Sequence, residues 1–502
     1  MQTDTAPSPQ PRQPDARHSL LDFLRLVPRY QAHLEDSHAR HGDVVRQDYA
    51  GQMATDFFHP DDARDFMQHE PDDLVRWERG PEVFARLQGQ SVLVTEGEVW
   101  KAQRRVLLAL FHPQRLNGAL PRLQQVVASE ADAVLAPLVQ AGAAVDLAPW
   151  FTQVSMQLIA RLLFDRPLAS REVTQCSQAI TELSARGMRS MFMLPWLDPE
   201  GWLSRRSAWR HHPQPFLRAC GRGLDTLRHG LSTTQRGARP LRQLIERQIM
   251  QALPLATGAD AHQHDDQAWV VALLRAQWPD PADHTVPLRG DAHLEAVADQ
   301  CMTLFLAGHE TTATSLQWWA SALARSPAWM AQAHEEVRRV LEGRPPAAAD
   351  LANLPVVQAT LKEAMRLYPA VPALFTRRTR CPFHVGRTWL PKGEMVRVTP
   401  WVMQRDARWW PDPLVFNPQR FLVRDDHRPR GAWMPFGTGA RVCVGQGLAQ
   451  AEMALVAVRL LQIGTWAPHA TGGPDAPMPE GRWDVTYRQA SHDPMAFASL
   501  RG

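Results

Sequence analysis

Apolar residues recur at helical spacing through the middle of the chain. From about residue 100 to residue 325 long amphipathic stretches dominate, among them residues 123–138 and 294–323, where apolar positions repeat every three or four residues as on one face of a helix. Between residues 377 and 400 the period changes to alternation in short runs bounded by Gly and Pro, which is typical of small sheet strands. The pattern predicts a mainly α fold with a small β region late in the chain.

Two segments lack this regularity. Residues 1–17 are rich in Pro, Gln, Asp and Ser without a recurring apolar position, which predicts a disordered N-terminal tail and a single folded domain over residues 18–502. Residues 195–266 are rich in Pro, Arg, His and Trp. We expect them to form short helices joined by loops, as a mobile cover and not as a separate core.

Composition and charge remove several functional classes. The formal net charge of +3 on 502 residues supplies no global basic field, so a nucleic-acid partner is not expected. The five cysteines are scattered, odd in number and never in a CxxC pair, which argues against a disulfide framework or a zinc site and for reduced thiols. They are Cys176, Cys220, Cys301, Cys381 and Cys443.

Targeting signals are not recognisable in the sequence. The first residues lack the basic-then-apolar layout of a signal peptide, and an apolar run of about 18 residues, as a membrane span requires, does not occur. We therefore expect a cytoplasmic protein with no membrane anchor.

One segment surrounds a single cysteine with glycines at the start of a predicted helix. It reads FGTGARVCVG, from Phe436 to Gly445, and a helical pattern over about residues 446–462 follows directly. Glycines permit close backbone approach to a flat cofactor, while backbone N–H groups and the helix dipole favour a thiolate over a thiol. A thiolate at Cys443 can bind iron. A lone cysteine after a Gly-rich turn is otherwise more often a buried, inert side chain.

A second segment, AGHETT at residues 307–312, places an acid and two threonines in the middle of a long apolar helical stretch. The hydroxyl of Thr311 is predicted to donate to the carbonyl oxygen of Ala307, and the small Ala307 and Gly308 leave room for a groove beside it. Such a groove could hold dioxygen and water, with Glu310 as an adjacent acid. The alternative interpretation is a helix kink or a buried, satisfied threonine.

Two further pairs have helical spacing. Glu363 and Arg366 form an ExxR pair on one face of a helix expected after Pro355. Trp100 and Arg104 form a WxxxR pair, whose indole N–H and guanidinium can both donate to a carboxylate. Taken alone, such pairs are usually exposed and contribute well under about 1 kcal/mol.

These four segments, which lie within about residues 95–454, resemble the motifs of the cytochrome P450 family and occur along the chain in the family's order. FGTGARVCVG matches the FxxGxRxCxG haem loop, AGHETT the AGx(D/E)T(T/S) oxygen-activating motif, EAMR the ExxR pair and WKAQR the WxxxR element. FNPQRF at residues 416–421 resembles the PERF region, with Gln419 where the family often has Glu. The resemblance implies the mainly α P450 fold with a small β region, and a haem between the Thr311 helix and the Cys443 loop.

The resemblance also implies roles for single residues. Cys443 is expected to be the proximal ligand of haem b, with Phe436 packed beside its thiolate. Glu310 and Thr311 are the expected catalytic pair, which delivers protons to dioxygen. The other expected haem contacts, several of them arginine contacts to the propionates, are Trp100, Arg104, Ala307, Arg377, Arg441 and Gly445. The expected buried network for folding and haem incorporation consists of Glu363, Arg366 and Arg420.

The implied activity is that of a haem-thiolate monooxygenase, which inserts one oxygen atom from O2 into a lipophilic small molecule. The sequence holds neither a nucleotide fingerprint nor a cysteine cluster for iron and sulfur, so electrons are expected from NAD(P)H through a separate ferredoxin and ferredoxin reductase. A fatty acid, a terpenoid or a steroid would each fit, and a fatty-acid-like chain is favoured because the AGHETT and ExxR regions look like those of lipid-hydroxylating members. A monomer is expected.

Two surfaces are also predicted, a substrate pocket and a docking face. Apolar side chains at 305–307 and 373–375, with parts of 75–92 and 190–215, are expected to line a substrate pocket. A basic docking face for an acidic electron donor is expected from charges that are equally consistent with an ordinary solvated surface. These charges are Lys101, Arg104, Arg105, Arg115, Arg424, Arg428 and Arg430.

Two other classes of haem protein have to be weighed against a monooxygenase. A peroxygenase would use hydrogen peroxide and usually replaces the acid and alcohol pair, whereas Glu310 and Thr311 are both present. A non-catalytic haem protein would keep Cys443 without needing that pair. Both are disfavoured by the sequence.

Overall fold

The computed structural model describes residues 13–499, apart from 20–21, 23–24, 27–28, 50, 193–232, 258–267, 281–282, 424–426 and 471. The described chain divides into two compact units, each made of segments that are distant in sequence. The first unit contains residues up to 78, 366–415 and 423–443, and the second contains 79–365, 416–422 and the chain from 444 onward.

Helices make up most of the described chain, as the apolar pattern predicted. In chain order they are α1 (Tyr30–His41), α2 (Pro60–Gln68), α3 (Arg79–Gln88), α4 (Gly97–Leu110), α5 (Pro113–Glu130), α6 (Ala136–Gln140), α7 (Leu147–Phe164), α8 (Ser170–Phe192), α9 (Thr233–Thr257), α10 (Trp269–Arg275), α11 (Gly290–Ala324), α12 (Pro327–Leu341), α13 (Pro355–Leu367), α14 (Pro400–Met403), α15 (Gln419–Leu422) and α16 (Gln446–Ile463). A π-helical turn, Ala131–Leu135, joins α5 to α6.

The strands are short and lie at both ends of the sequence. They are β1 (Ala16–His18), β2 (Val44–Tyr49), β3 (Gln52–Phe57), β4 (Leu74–Arg76), β5 (Arg377–Thr379), β6 (Phe383–Val385), β7 (Thr388–Leu390), β8 (Met395–Val398), β9 (Gly464–Pro468), β10 (Gly481–Trp483), β11 (Tyr487–Gln489) and β12 (Met495–Ser499).

The first unit is built on a six-stranded sheet with the order β1-β2-β3-β8-β5-β4. Its centre is the parallel pair of β3 and β8, in which Phe57 lies opposite Val398. Residues of β2 alternate between buried and half-buried positions, as a strand with one covered face requires. Phe57, Val398 and Phe66 of α2 belong to one apolar cluster on this sheet, so the sheet and α2 share a core.

The second unit is helical around α11, which is 35 residues long. Helix α7 is apolar around most of its circumference and packs along α11, since a helix without a polar face has to be buried on all sides. At Gly308 an added Cβ would lie 3.3 Å from Cδ1 of Ile159 in α7. Where a side chain at Gly308 would point, α7 is therefore in close contact with α11; the groove expected beside Ala307 and Thr311 stays a prediction.

Helix α9 corrects the prediction for residues 195–266. The part of that segment which the structure describes forms one helix of 25 residues despite Pro240 and Pro254. Leu241, Ile245 and Ile249 repeat every four residues and are fully or almost fully buried, so the apolar face outweighs the two prolines. Residues 193–232 and 258–267 lie outside the described part, and the mobile cover stays a prediction.

Two boundary predictions also change. Ala16 and Arg17, assigned to a disordered tail, belong to β1, which pairs with β2. The β region is not confined to the later part of the chain, because β1 to β4 precede residue 77. Backbone pairing to a distant strand carries no local periodic signal in runs of three residues, which explains why the pattern missed them. Among the described helices, none has the length and apolar character required to cross a membrane.

Candidate active site

The loop that carries Cys443 is held by backbone contacts within the first unit. The Cys443 N–H donates to the carbonyl oxygen of Phe436 at 3.0 Å. At Gly439, whose φ is +76°, a Cβ would lie 2.4 Å from the carbonyl oxygen of Met67 in α2, so the backbones approach too closely for any side chain. The thiol of Cys443 is exposed, and α16 begins three residues later at Gln446. The loop therefore presents the cysteine ahead of a helix, as predicted.

Two arginines expected at haem propionates meet at a carboxylate that the sequence analysis did not single out. Arg377 of β5 binds the buried Glu70 through its Nε and also donates to the carbonyl oxygen of Phe375. The Nε of Arg441 lies 3.7 Å from the same Oε1 of Glu70. The second carboxylate oxygen of Glu70 is buried and has no hydrogen-bond partner among the described residues. The structure thus brings Arg377 and Arg441 together around a negative charge.

The ExxR residues are completely buried in α13. In the second unit, Oε1 of Glu363 accepts from the Nε of Arg420 at 3.3 Å and from the backbone N–H of Asn417 at 2.9 Å. Glu363 and Arg420, predicted to belong to one network, are therefore in contact.

The guanidinium of Arg366 is hydrogen-bonded to backbone carbonyl oxygens of the first unit. It donates to the carbonyl oxygens of Gln404 and Pro413, each at 2.7 Å, and stands 5.0 Å from the ring centroid of Trp410. A fully buried guanidinium requires such acceptors, because an unpaired buried charge is strongly destabilising. Arg366 therefore fixes the segment that precedes the cysteine loop.

The centre of α11 has the hydrogen bond that the sequence predicted. The hydroxyl of Thr311 donates to the carbonyl oxygen of Ala307 at 2.8 Å, and Ser315 repeats the pattern by donating to the carbonyl oxygen of Thr311 at 2.9 Å. Thr311 is half-buried and Ala307 is exposed. Phe305, expected in the wall of a pocket, is fully buried with its ring centroid 6.2 Å from that of His309, and its place in a pocket wall stays a prediction.

The carboxylate of Glu310 is held by two hydroxyl groups that the sequence analysis did not find. Ser184 of α8 donates to Oε2 at 3.0 Å, and Thr486, in the turn between β10 and β11, donates to Oε1 at 2.9 Å. They are 126 and 176 residues away from Glu310 in sequence. No spacing rule links residues so far apart, so neither could be found from a motif.

His309, beside Glu310, is 3% exposed. Its Nδ1 lies 3.1 Å from the carbonyl oxygen of Phe305; since a carbonyl only accepts, this nitrogen carries the proton. Burial lowers the pKa of His309, although the adjacent Glu310 and the helix backbone act in the opposite direction. The ring is thus neutral near pH 7, and Nε2 is an acceptor.

The WxxxR pair lies in α4 of the second unit. The guanidinium of Arg104 stands 5.7 Å from the ring centroid of the buried Trp100, which confirms that the two side chains share a helix face. Of the predicted basic docking residues, Lys101 pairs with Glu98 at 3.0 Å and Arg428 lies over the ring of Trp410. Arg424 lies outside the described residues.

Comparison with known proteins places these features in a family. The family model described as cytochrome P450 matches residues 19–486. The chain belongs to the cytochrome P450 family. It is a P450 monooxygenase, and the mainly α fold with small sheets is the P450 fold.

Curated relatives of this P450 come from distant organisms. Cyclooctatin synthase of Streptomyces melanosporofaciens is 30% identical over 374 residues, covering 74% of this chain and 72% of the relative. Putative cytochrome P450 132 of Mycobacterium bovis is 28% identical over 429 residues, covering 84% of each chain. Steroid 17-alpha-hydroxylase/17,20 lyase of Oryzias latipes is 28% identical and covers 70% of this chain and 66% of the relative.

Solved structures agree on the fold. A zebra fish cytochrome P450 with abiraterone superposes with a TM-score of 0.70 at 20% identity, covering 94% of this P450 and 99% of that chain. The retinoic acid-bound cyanobacterial CYP120A1 also gives a TM-score of 0.70, at 21% identity, covering 93% of this P450 and 94% of that chain.

Cytochromes P450 bind haem, and the residues of this P450 fit that group. The cysteine loop presents an exposed thiol, and thiolates ligate haem iron in P450s. Arg377 and Arg441 already converge on a carboxylate at Glu70, which is the chemistry that a haem propionate also offers. A haem-binding role for these three residues is consistent with what surrounds each of them.

Proposed function

We propose that this P450 is a haem-thiolate monooxygenase in which the thiolate of Cys443 would ligate the iron of haem b and Glu310 and Thr311 would be the proton-delivery pair. The overall reaction consumes one substrate, one O2, two protons and two electrons and yields hydroxylated product and one water. Bound haem supplies the activation of dioxygen, with electron density from the thiolate favouring O–O cleavage.

The observation that carries the proposal is the presentation of Cys443. Its N–H bond to Phe436 and the close approach of Gly439 to Met67 fix the loop. The thiol is left exposed at a defined place ahead of α16. Backbone N–H groups and the helix dipole there favour the thiolate.

The chain's own residues account for the other requirements. Arg377 and Arg441 would bind propionates, with Trp100 and Arg104 as further donors. Ala307 and Gly445 would lie against the haem. Glu363, Arg366 and Arg420 would hold the framework in which haem is incorporated. Thr311 donates its hydroxyl hydrogen to the carbonyl oxygen of Ala307, which leaves the hydroxyl oxygen as an acceptor; the O–H would rotate away from that carbonyl to pass a proton on.

We further propose a terpenoid or a steroid as substrate. The support is the names of relatives, because one is a steroid 17-alpha-hydroxylase/17,20 lyase and another, 32% identical over 231 residues, is a geraniol 8-hydroxylase of Swertia mussotii. Geraniol and steroids are lipophilic, in keeping with the apolar wall expected at 373–375. Electrons would come from a ferredoxin and an NAD(P)H-dependent ferredoxin reductase, with this P450 acting as a monomer.

The test is the optical spectrum of the reduced, carbon-monoxide-bound protein, recorded for the parent and for Cys443→Ser. A thiolate-ligated haem gives a strongly red-shifted Soret band, which should be present in the parent and absent from the variant. Cys381→Ser is the matched control and should keep the band. A parent spectrum without the shift would refute the axial-ligand assignment.

A further inference from the structure

A polar cavity of about 250 Å³ opens beside Glu310 in the second unit. Glu310, Thr314 and Gln317 lie in its α11 wall, and Thr181 of α8, Arg488 and His492 also line it. The volume is sufficient for several water molecules, and hydroxyl, amide and imidazole groups supply the partners that ordered water needs. The cavity is therefore suited to a hydrated path.

The position of Glu310 on α11 connects this cavity with Thr311. Successive residues of an α-helix are rotated by about 100°, so Gln317, Thr314 and Glu310 project on one side. Thr311 and Ala307 project on the adjoining side. Thr314 stands at the border between the two sides, whereas Glu310 lies within the side that lines the cavity, so a proton carried by the Glu310 carboxyl group reaches the Thr311 side past Thr314.

The C-terminal segment that carries Thr486 is anchored on α11 itself. The Nε1–H of Trp318 donates to the carbonyl oxygen of Tyr487 at 2.8 Å, and the two rings stack at 5.2 Å. Directly after α11, Arg325 pairs with Asp493 at 2.8 Å. Helix α11 thus holds the segment that places the Thr486 hydroxyl on Glu310, a residue of the same helix. Thr486 itself is 2% exposed.

The donors that hold Glu310 are neutral. A guanidinium partner would favour a permanently ionised carboxylate, whereas the hydroxyls of Ser184 and Thr486 fix its orientation without adding charge. Of the described basic residues that line the cavity, Arg488 is bound to Asp484 at 2.6 Å, and burial lowers the pKa of His309, so that its ring is neutral near pH 7. At the cavity rim, His492 pairs with Asp146. Ser184 and Thr486 thus position the Glu310 carboxylate without pairing it with a cation.

We propose that this cavity is the path by which protons from solvent reach Glu310, and that Ser184 and Thr486 are positioning residues that hold the carboxylate at the end of the path. The proposal rests on the monooxygenase function proposed above. In each transfer a proton passes from cavity water to the Glu310 carboxylate and then from the carboxyl group to the Thr311 side, which restores the carboxylate.

The positioning role is tested with Ser184→Ala and Thr486→Val in the haem-loaded protein, with a surrogate ferredoxin and its reductase and with geraniol and progesterone as probe substrates. Product formation should fall about tenfold, as expected when general acid catalysis is impaired, and the peroxide released per O2 consumed should rise. Ser184→Thr and Thr486→Ser keep the hydroxyl and should restore coupling. Thr174→Val, an exposed change on α8, is the control.

A readout other than activity comes from crystal structures of the same variants. The Glu310 carboxylate should leave its position in Ser184→Ala and Thr486→Val and keep it in the two conservative variants. If coupling and carboxylate position are unchanged while the reduced carbon monoxide spectrum is that of a thiolate haem, the positioning role is wrong and the proposed function stands. If that spectrum lacks the shift, the proposed function itself fails.

The path is tested by closing it. Thr181 is exposed and lines the cavity, so Thr181→Trp should fill the mouth, remove ordered water from a crystal structure, and increase the solvent deuterium isotope effect on product formation at least twofold. Glu182→Trp places the same bulk at the next exposed position, which is not part of the lining, and should change neither. An unaltered isotope effect in a Thr181→Trp protein whose cavity is visibly filled would overturn the path.

Discussion

Glu452, in α16 of the second unit, has a fully buried carboxyl group. Its Oε1 has no hydrogen-bond partner in the part of the chain that the structure describes, and burial raises the pKa of Glu452 to about 8. The folded protein therefore binds a proton that the unfolded chain, with an ordinary carboxyl pKa, releases above about pH 4.5. Between about pH 4.5 and 8 this group makes the folded state progressively less stable as the pH rises.

The prediction is that Glu452→Gln stabilises the protein at pH 8 and flattens this dependence. One pKa unit corresponds to about 1.4 kcal/mol, so the gain at pH 8 should be several kcal/mol and should vanish near pH 4.5. Urea unfolding of the haem-loaded protein at a series of pH values measures it. Glu480→Gln, at an exposed position, should leave the curve unchanged; a loss of stability in Glu452→Gln at pH 8 would contradict the assignment.

Glu70 competes with any other carboxylate for Arg377 and Arg441. Glu70→Gln removes the charge that both guanidinium groups bind, so we expect slower loss of haem because its propionates meet less competition. Haem transfer to apomyoglobin measures the rate, and a decrease of about threefold to tenfold corresponds to roughly 1 kcal/mol, the scale of one charge-assisted hydrogen bond. Glu78→Gln, which breaks an exposed pair with Arg378, should have no effect; faster haem loss in Glu70→Gln would refute the idea.

Among single residues, the side-chain contacts that the sequence predicted are those between neighbours within one helix. Thr311 binding Ala307 follows from a spacing of four within one helix, and Arg104 over Trp100 follows from the same spacing. Glu70 with Arg377 joins residues 307 positions apart, and the two hydroxyls on Glu310 are similarly remote. Such pairs depend on the packing of whole elements, which no periodicity encodes.

Among the elements, the cysteine loop and α2 meet through backbone atoms alone. Gly439→Ala adds two costs: a left-handed φ for a residue with a Cβ, and a collision with the carbonyl oxygen of Met67. Gly393→Ala has only the cost of the left-handed φ, because nothing lies within 4 Å of its added Cβ. We expect Gly393→Ala to lower the unfolding free energy by about 1–2 kcal/mol.

Gly439→Ala should lower it further and should also reduce haem content. Thermal unfolding and the ratio of Soret to protein absorbance measure the two effects for both variants. If the variants behave alike, the close approach of Gly439 to α2 does not determine the shape of the loop.

Elements with a strong local signal were predicted well. The helix expected over about residues 446–462 is α16, Gln446–Ile463. Its bounds could be predicted because Gly445 precedes the first turn and a long apolar run continues from there to the end of the helix. Helix α9 was missed since Pro240 and Pro254 suggested breaks. It is stabilised by burial of one face and by Arg242, whose Nη1 lies 2.5 Å from Oδ1 of the buried Asp299, and both depend on tertiary structure.

For the whole molecule, the described thiols differ in their access to solvent. Burial raises the pKa of Cys176 to about 11 and that of Cys301 to about 12, so both should resist alkylation in the folded protein at pH 7.5. Cys381 is half-buried and Cys443 is exposed.

Iodoacetamide followed by peptide mass spectrometry should label Cys381 with haem bound, Cys443 only after haem is removed, and the other two only after denaturation. Circular dichroism before labelling shows whether the haem-free protein remains folded. Labelling of Cys443 at full haem occupancy would argue against its role as the iron ligand.

The six-stranded sheet also has a consequence for synthesis on the ribosome. Strand β3 is complete by residue 57, yet its parallel partner β8 ends only at Val398. For more than three hundred residues of translation the nascent chain therefore displays an unpaired strand edge, which is a template for aggregation. Chaperones would have to shield the edge of β3 until Val398 has been synthesised. Slow codons before Val398 would lengthen the time for which that edge is exposed.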